Sequence, residues 1–128
     1  MSYYFSRKLD ISFDKAIERA TNALKEQGFG VLMEIDVKTT LKKKLDVDFY
    51  NYKILGACNP HFAHRALLFE EKIGTMLPCN VIVRETKENL VEVAAVDPVA
   101  SMQSIENPQL GKIATEVQKR LKAAIENL

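Results

Sequence analysis

Two cysteines and two histidines are the whole supply of soft metal-ligating side chains in this 128-residue sequence. Two cysteines cannot form the disulfide framework of a small secreted scaffold, and both lie in apolar, strand-like stretches. Reduced thiols and a cytoplasmic location are the expectation. Charge of one sign is missing too. Eighteen Lys and Arg against seventeen Asp and Glu leave a net charge of +1, so overall electrostatics imply neither nucleic acid nor an anionic membrane as partner. No apolar run approaches the roughly 18 residues that a membrane span requires. The first residues, Met1 to Arg7, lack the basic-then-apolar plan of a secretory signal. Internal repeats, linkers and low-complexity tracts are absent.

What is present is ordinary for a globular protein: 47% apolar and 27% charged residues. At this length the simplest organisation is one domain over residues 1–128, large enough to bury a core without staples.

The pattern of elements is readable in order. Tyr3 to Leu9 alternates as a short strand. Ser12 then caps a helix to about Gln27, whose apolar stripe is Phe13, Ala16, Ile17, Ala20 and Leu24, with Gly28 at its end. Val31 to Val37 reads as a strand with Val31, Met33, Ile35 and Val37 on one face and Leu32, Glu34 and Asp36 on the other. Thr39 to Leu45 reads as a short helix whose lysines form a solvated face. Tyr52 to Cys58 is a third strand. Asn59-Pro60 opens a helix to about Phe69, continuing through Glu70 to Met76 until Gly74 and Pro78 end it. Cys79 to Glu85 and Leu90 to Val96 form a hairpin around Thr86–Asn89. Asp97-Pro98 and Asn107-Pro108 repeat the cap-plus-proline signal, and the last helix runs from Pro108 to about Asn127. This order predicts an α+β, two-layer fold with a mixed or antiparallel sheet of about five strands packed on helices.

Chemistry concentrates at Tyr52 to His64, which holds Cys58 and both histidines. Cys58 precedes a helix start, where the dipole and free N–H groups favour a thiolate, and His61 or His64 is placed to act as its base. That is the beginning of a thiol-dependent enzyme; the bland alternative is a buried, inert cysteine. His61 and His64 share a helix face and, with Cys58, offer three ligands to a zinc-like ion, with Cys79 as a fourth if its strand returns nearby. The helix starts at Pro60 and Pro98 also attract anions, which suggests a small ligand beside Asn59, Cys58 and Arg84. Glu34 with Asp36 is a carboxylate pair suited to acid–base work or a hard cation, or simply a wet strand face.

Several blocks together resemble a known family. Gly28-Phe29-Gly30-Val31-Leu32 with Glu34 to Val37, Ile54 to Pro60 with Ala63 to Leu67, Leu77 to Val81, and Val91-Glu92-Val93 with Asp97-Pro98 are similar to the domain-of-unknown-function 302 family. The resemblance implies a small cytoplasmic α+β protein, commonly bacterial or archaeal, that self-associates as a homodimer. It implies no reaction. Three readings follow. One is a small-molecule or metal-ion binding module at Cys58, His61 and His64. The others are a thiol enzyme using Cys58 and an interaction homodimer without chemistry.

Overall fold

The computed structural model describes residues 2–128. Its elements are β1 (Tyr4–Leu9), α1 (Phe13–Glu26), β2 (Gly30–Asp36), α2 (Val37–Leu45), β3 (Tyr52–Cys58), α3 (Pro60–Phe69), β4 (Cys79–Glu85), β5 (Val91–Val96), α4 (Pro98–Ser101) and α5 (Pro108–Glu126). Local chemistry sets most of the boundaries. The Ser12 hydroxyl accepts from the Lys15 amide at 3.2 Å to start α1, and Gly28, at φ 86°, takes the left-handed position that ends it. Asp97 and Asn107 accept from the first amides of α4 and α5. At the other end of α5, Arg7 donates to the carbonyls of Glu126 and Leu128 at 3.0 and 2.9 Å, supplying a cation where the helix dipole is negative.

The five strands form one sheet in the order β1-β5-β4-β3-β2, with every neighbouring pair antiparallel. The layers are those of an α+β sandwich, and the sheet is antiparallel rather than mixed. Leu55 and Ala57 of β3, Val81 and Val83 of β4, and Val93 and Ala95 of β5 all point to one side and are fully buried. Against them pack Ala16, Ala20 and Leu24 of α1, and Leu110, Ile113, Val117, Leu121 and Ile125 of α5. Pleating sends the intervening residues to the opposite side, where no helix of the core cluster reaches them.

Two expectations change. The register of β2 shifts between Val31 and Met33, a β-bulge. Val31 pairs with Ala57 and joins the core, whereas Met33 and Ile35 pair with Gly56 and Ile54 and turn to the open side. The extra residue breaks the period of two, so the face read as Val31, Met33, Ile35 and Val37 does not exist as a unit. Val37 itself begins α2, because the Asp36 carboxylate accepts from the Thr39 amide at 3.0 Å and starts that helix ahead of Thr39. The second change follows α3. It stops at Phe69, and Ile73–Met76 forms a separate 3₁₀ turn anchored by fully buried Ile73, so Glu70 to Met76 does not extend the helix.

Leu121 is wholly buried between the helices and the sheet. Leu121→Ala is expected to lower unfolding free energy by about 2–5 kcal/mol in urea denaturation, while Leu68→Ala, at a position exposed on α3, changes it by less than about 0.5 kcal/mol. Equal effects would contradict the assignment of the core.

Candidate functional site

The third strand ends at Cys58, and Asn59-Pro60 turns the chain into α3. Proline suits the first helical turn because its missing N–H had no helical partner. The three Asx-Pro pairs nevertheless do not behave alike. Asp97 accepts from the Val99 amide at 3.0 Å, and Asn107 accepts from the Gln109 amide at 3.2 Å. Asn59 makes no such cap bond. Its side chain is buried, only 8% exposed, and its Nδ2 lies 2.9 Å from where a Cβ on Gly28 would stand. A residue expected to cap α3 has turned inward.

It turns towards a small cavity of about 40 Å³ between the ends of β3 and β4, the start of α3 and the side of α5. Phe29, Ala57, Phe62, Ala66, Leu77, Ile113 and Val117 contribute to a lining that is almost wholly apolar, and Cys58 and Cys79 are both part of it. The 3₁₀ turn brings the chain back, so that β4 begins with Cys79 opposite Ala57. The two cysteines thus do meet at one cavity. Burial pushes the Cys79 thiol up to about 11, with the neighbouring Cys58 adding to the rise.

The histidines do not join them. α3 turns Phe62, Ala63 and Ala66 inward and leaves His61, His64 and Arg65 exposed. Cys58, His61 and His64 are therefore not a ligand set. Among the described residues no three His, Cys, Asp or Glu side chains converge where a metal ion could be held, so the residues present do not fit a zinc site. The physical reason is helix phase: burying Phe62 and Ala66 against the core puts both imidazoles on the solvent side. Among the described residues neither imidazole makes a hydrogen bond to that thiol.

The other predicted ligands also lie apart. Arg84 sits at the far end of β4 from Cys79 and on the open side of the sheet, where its Nε donates to Glu92 at 2.8 Å. Glu34 pairs with Lys53 at 3.2 Å, and Asp36 is occupied as the α2 cap, which lowers its carboxyl below the usual range. The suggested acid pair thus has two structural duties.

Sequence reasoning missed two features. One is Arg120, whose guanidinium lies over the Phe62 ring with Cζ 5.3 Å from the centroid, and whose Nη1 donates to the Gln27 carbonyl at 3.4 Å. Its Nε is buried without a partner. Nothing in the α5 stripe marks Arg120, because its spacing is that of the polar face. The other is the open side of the sheet. There Tyr3, Tyr4, Tyr50 and Tyr52 border a depression of about 520 Å³ floored by Ile82, Ala94, Arg84 and Glu92. The four tyrosines were a usable signal, since they flank strands yet belong to no core stripe.

A five-stranded antiparallel sheet covered by helices on one side, with an apolar cavity at one sheet end, defines the class: a small two-layer α+β protein with an open sheet face. Comparison with known proteins carries this further. The family model "Domain of unknown function DUF302" matches residues 5–128, and the chain belongs to that family. It is also similar to a solved structure titled "uncharacterized conserved protein DUF302 from Bacillus stearothermophilus" at 29% identity, with a TM-score of 0.91 over 99% of this chain and 98% of that one. No match to a curated protein was found. Among the described residues, no helix is long and apolar enough to cross a membrane.

Because the Cys79 thiol ionises in the unfolded chain near its ordinary value of 9.0 but in the folded protein only at about 11, burial stabilises the fold fully below pH 9. That contribution is lost as pH rises from 9 to 11, because the unfolded state releases its proton first. Stability should therefore fall in this window by up to about 1.4 kcal/mol per pH unit more in wild type than in Cys79→Ala. Parallel pH profiles from chemical denaturation would contradict the burial of this thiol.

Proposed function

We propose that this protein acts as an interaction module in which two copies meet through the open faces of their sheets. The observation that carries the reading is the composition of that face. Strand register sets three rows across it. The middle row runs Ser6, Ala94, Ile82, Ile54, Ile35 and is mainly aliphatic. Beside it runs Lys8, Glu92, Arg84, Tyr52, in which charges alternate. On the other flank stand Tyr4, Val96, Asn80, Gly56 and Met33. Met33 and Ile35 are 51% and 43% exposed, and Tyr3, Tyr4 and Tyr50 are exposed too, so large apolar and aromatic groups face water on this side.

A second copy of the chain suits this surface better than a charged partner does. A two-fold interface must complement itself. Arg84 is paired with Glu92 and Lys8 with Glu88, so each charge on the row has its counter-charge beside it and two such faces can oppose each other without net like charge. Five strand widths of about 4.8 Å and strands of about 20 Å give a projected area of roughly 480 Å². Corrugated by side chains, that is of the order of the roughly 800 Å² per partner in a standard interface. Burial of the face also gives the tyrosines a role: large, amphipathic rings with few rotors are favoured at interface centres.

Sedimentation equilibrium at micromolar concentration should give twice the 14.5 kDa chain mass. Ile82→Glu puts two extra carboxylates at the centre of the contact and should weaken association by about 100-fold or more, leaving a folded monomer by circular dichroism. A wild-type protein that stays monomeric, or a mutant that dimerises equally well, would overturn the reading.

A further inference from the structure

The open face of the sheet is not flat. Ala94 of β5 and Ile82 of β4 lie on its floor, and large rings border them on both sides. Tyr3 and Tyr4 stand at β1, and Tyr50 and Tyr52 at β3, the two strands that flank this inner pair. The rings hold one another in place. Tyr3 and Tyr4 meet edge to face at 5.0 Å between centroids, Tyr50 and Tyr52 do so at 6.1 Å, and Phe49 stacks on Tyr50 at 4.2 Å. The result is a trough of about 520 Å³ with aromatic walls, a size suited to a small molecule.

One ion pair lies within it. The Arg84 Nε donates to Glu92 Oε1 at 2.8 Å, and the two side chains are 31% and 16% exposed. The pair is only half used. Arg84 Nη1 has a long contact, 3.5 Å, to the Glu85 carbonyl, and Glu92 Oε2 accepts no hydrogen bond among the described residues. A donor group and an acceptor group thus stand together between aromatic walls. In the dimer proposed above Ile82 is at the centre of the contact, so the two troughs face each other. Two concave surfaces cannot fill one another, and closing them would bury the unused valences of both ion pairs. The space calls for an occupant with flat faces for the rings and, along one edge, an acceptor beside a donor.

We propose that this chamber binds a planar heteroaromatic molecule bearing a ring carbonyl next to an N–H, the edge chemistry of a lactam nucleobase. The carbonyl accepts from the Arg84 guanidinium, the N–H donates to Glu92 Oε2, and the ring lies against the tyrosines over Ala94 and Ile82. The inference rests on the dimer reading for the closure of the chamber. The recognising groups all belong to one chain, so ligand binding and association can be measured apart.

The test is titration of isotope-labelled full-length protein with theophylline, caffeine and succinimide, followed through the methyl signals of Ile82 and Ala94, with sedimentation of the same samples. Theophylline has the flat ring and the carbonyl beside an N–H. Caffeine has the ring with that N–H methylated, and succinimide has the edge without an aromatic ring. Theophylline is expected to shift both methyls saturably and to bind about 10-fold or more tighter than either of the others. Glu92→Leu should remove most of the preference over caffeine, while Tyr52→Leu should weaken theophylline and caffeine together. Absence of saturable theophylline shifts in wild type overturns the proposal. So does equally tight binding of caffeine or succinimide, or an unchanged preference in folded Glu92→Leu. A dimer that binds none of the three overturns the ligand and leaves the dimer standing. A monomer that binds theophylline with this preference overturns the dimer and supports the recognising edge.

Discussion

One-sided burial is the constraint on which this structure depends. Antiparallel pleating divides each strand into two sets of side chains, and only one set has helices to pack against. Leu55, Ala57, Val81, Val83, Val93 and Ala95 lie beneath α1 and α5 with essentially no exposure. Each such leucine or valine side chain contributes on the order of 1.5–3 kcal/mol when fully removed from water, so this interface outweighs any single polar contact. The exposed ion pairs, such as Lys42 with Asp46 and Lys119 with Glu116, add little, being screened by solvent. The helices go where the strands of higher aliphatic content direct them, and the sheet's other side stays open as a consequence.

The same constraint explains where the predicted chemistry did and did not form. α3 belongs to the covered side and must turn Phe62 and Ala66 inward. Its histidines are then carried outward, and Cys58 and Cys79 meet at a cavity lined by hydrocarbon that neither histidine lines. Arg84, at the other end of β4 and on the other side of the sheet, cannot reach that cavity. Packing thus separates groups that lie close together in sequence, and brings Arg120 of α5 over Phe62 of α3, far from it along the chain.

Much of the architecture was legible because its signals are local. Cap residues, the Asx-Pro pairs at 97–98 and 107–108, and the glycine at position 28 act through bonds to residues within a turn, so their effect is visible in a short window. The alternation of Val81 with Val83 marked the buried face of β4 for the same reason. The bulge in β2 was not legible. It depends on Gly56 of the next strand, where an added Cβ would come within 2.6 Å of Met33 Cγ and 2.9 Å of Pro78 Cγ. The inward turn of Asn59 was hidden as well, because its composition is that of an ordinary cap and only the tertiary packing beside Gly28 distinguishes it. The likeness to a solved structure at a TM-score of 0.91 bears out the α+β assignment, and the chemistry is left to be argued from the side chains.

The central claim is that the uncovered sheet face is the surface through which this protein works. Isotope-filtered nuclear Overhauser measurements on a one-to-one mixture of labelled and unlabelled protein test it most directly. The account predicts intermolecular contacts among the methyl groups of Ile35, Ile54 and Ile82 and the rings of Tyr4 and Tyr52, with none to the methyls of Val117 or Leu121. A dimer whose intermolecular contacts arise instead from the exposed residues of α3 or α5 would contradict it.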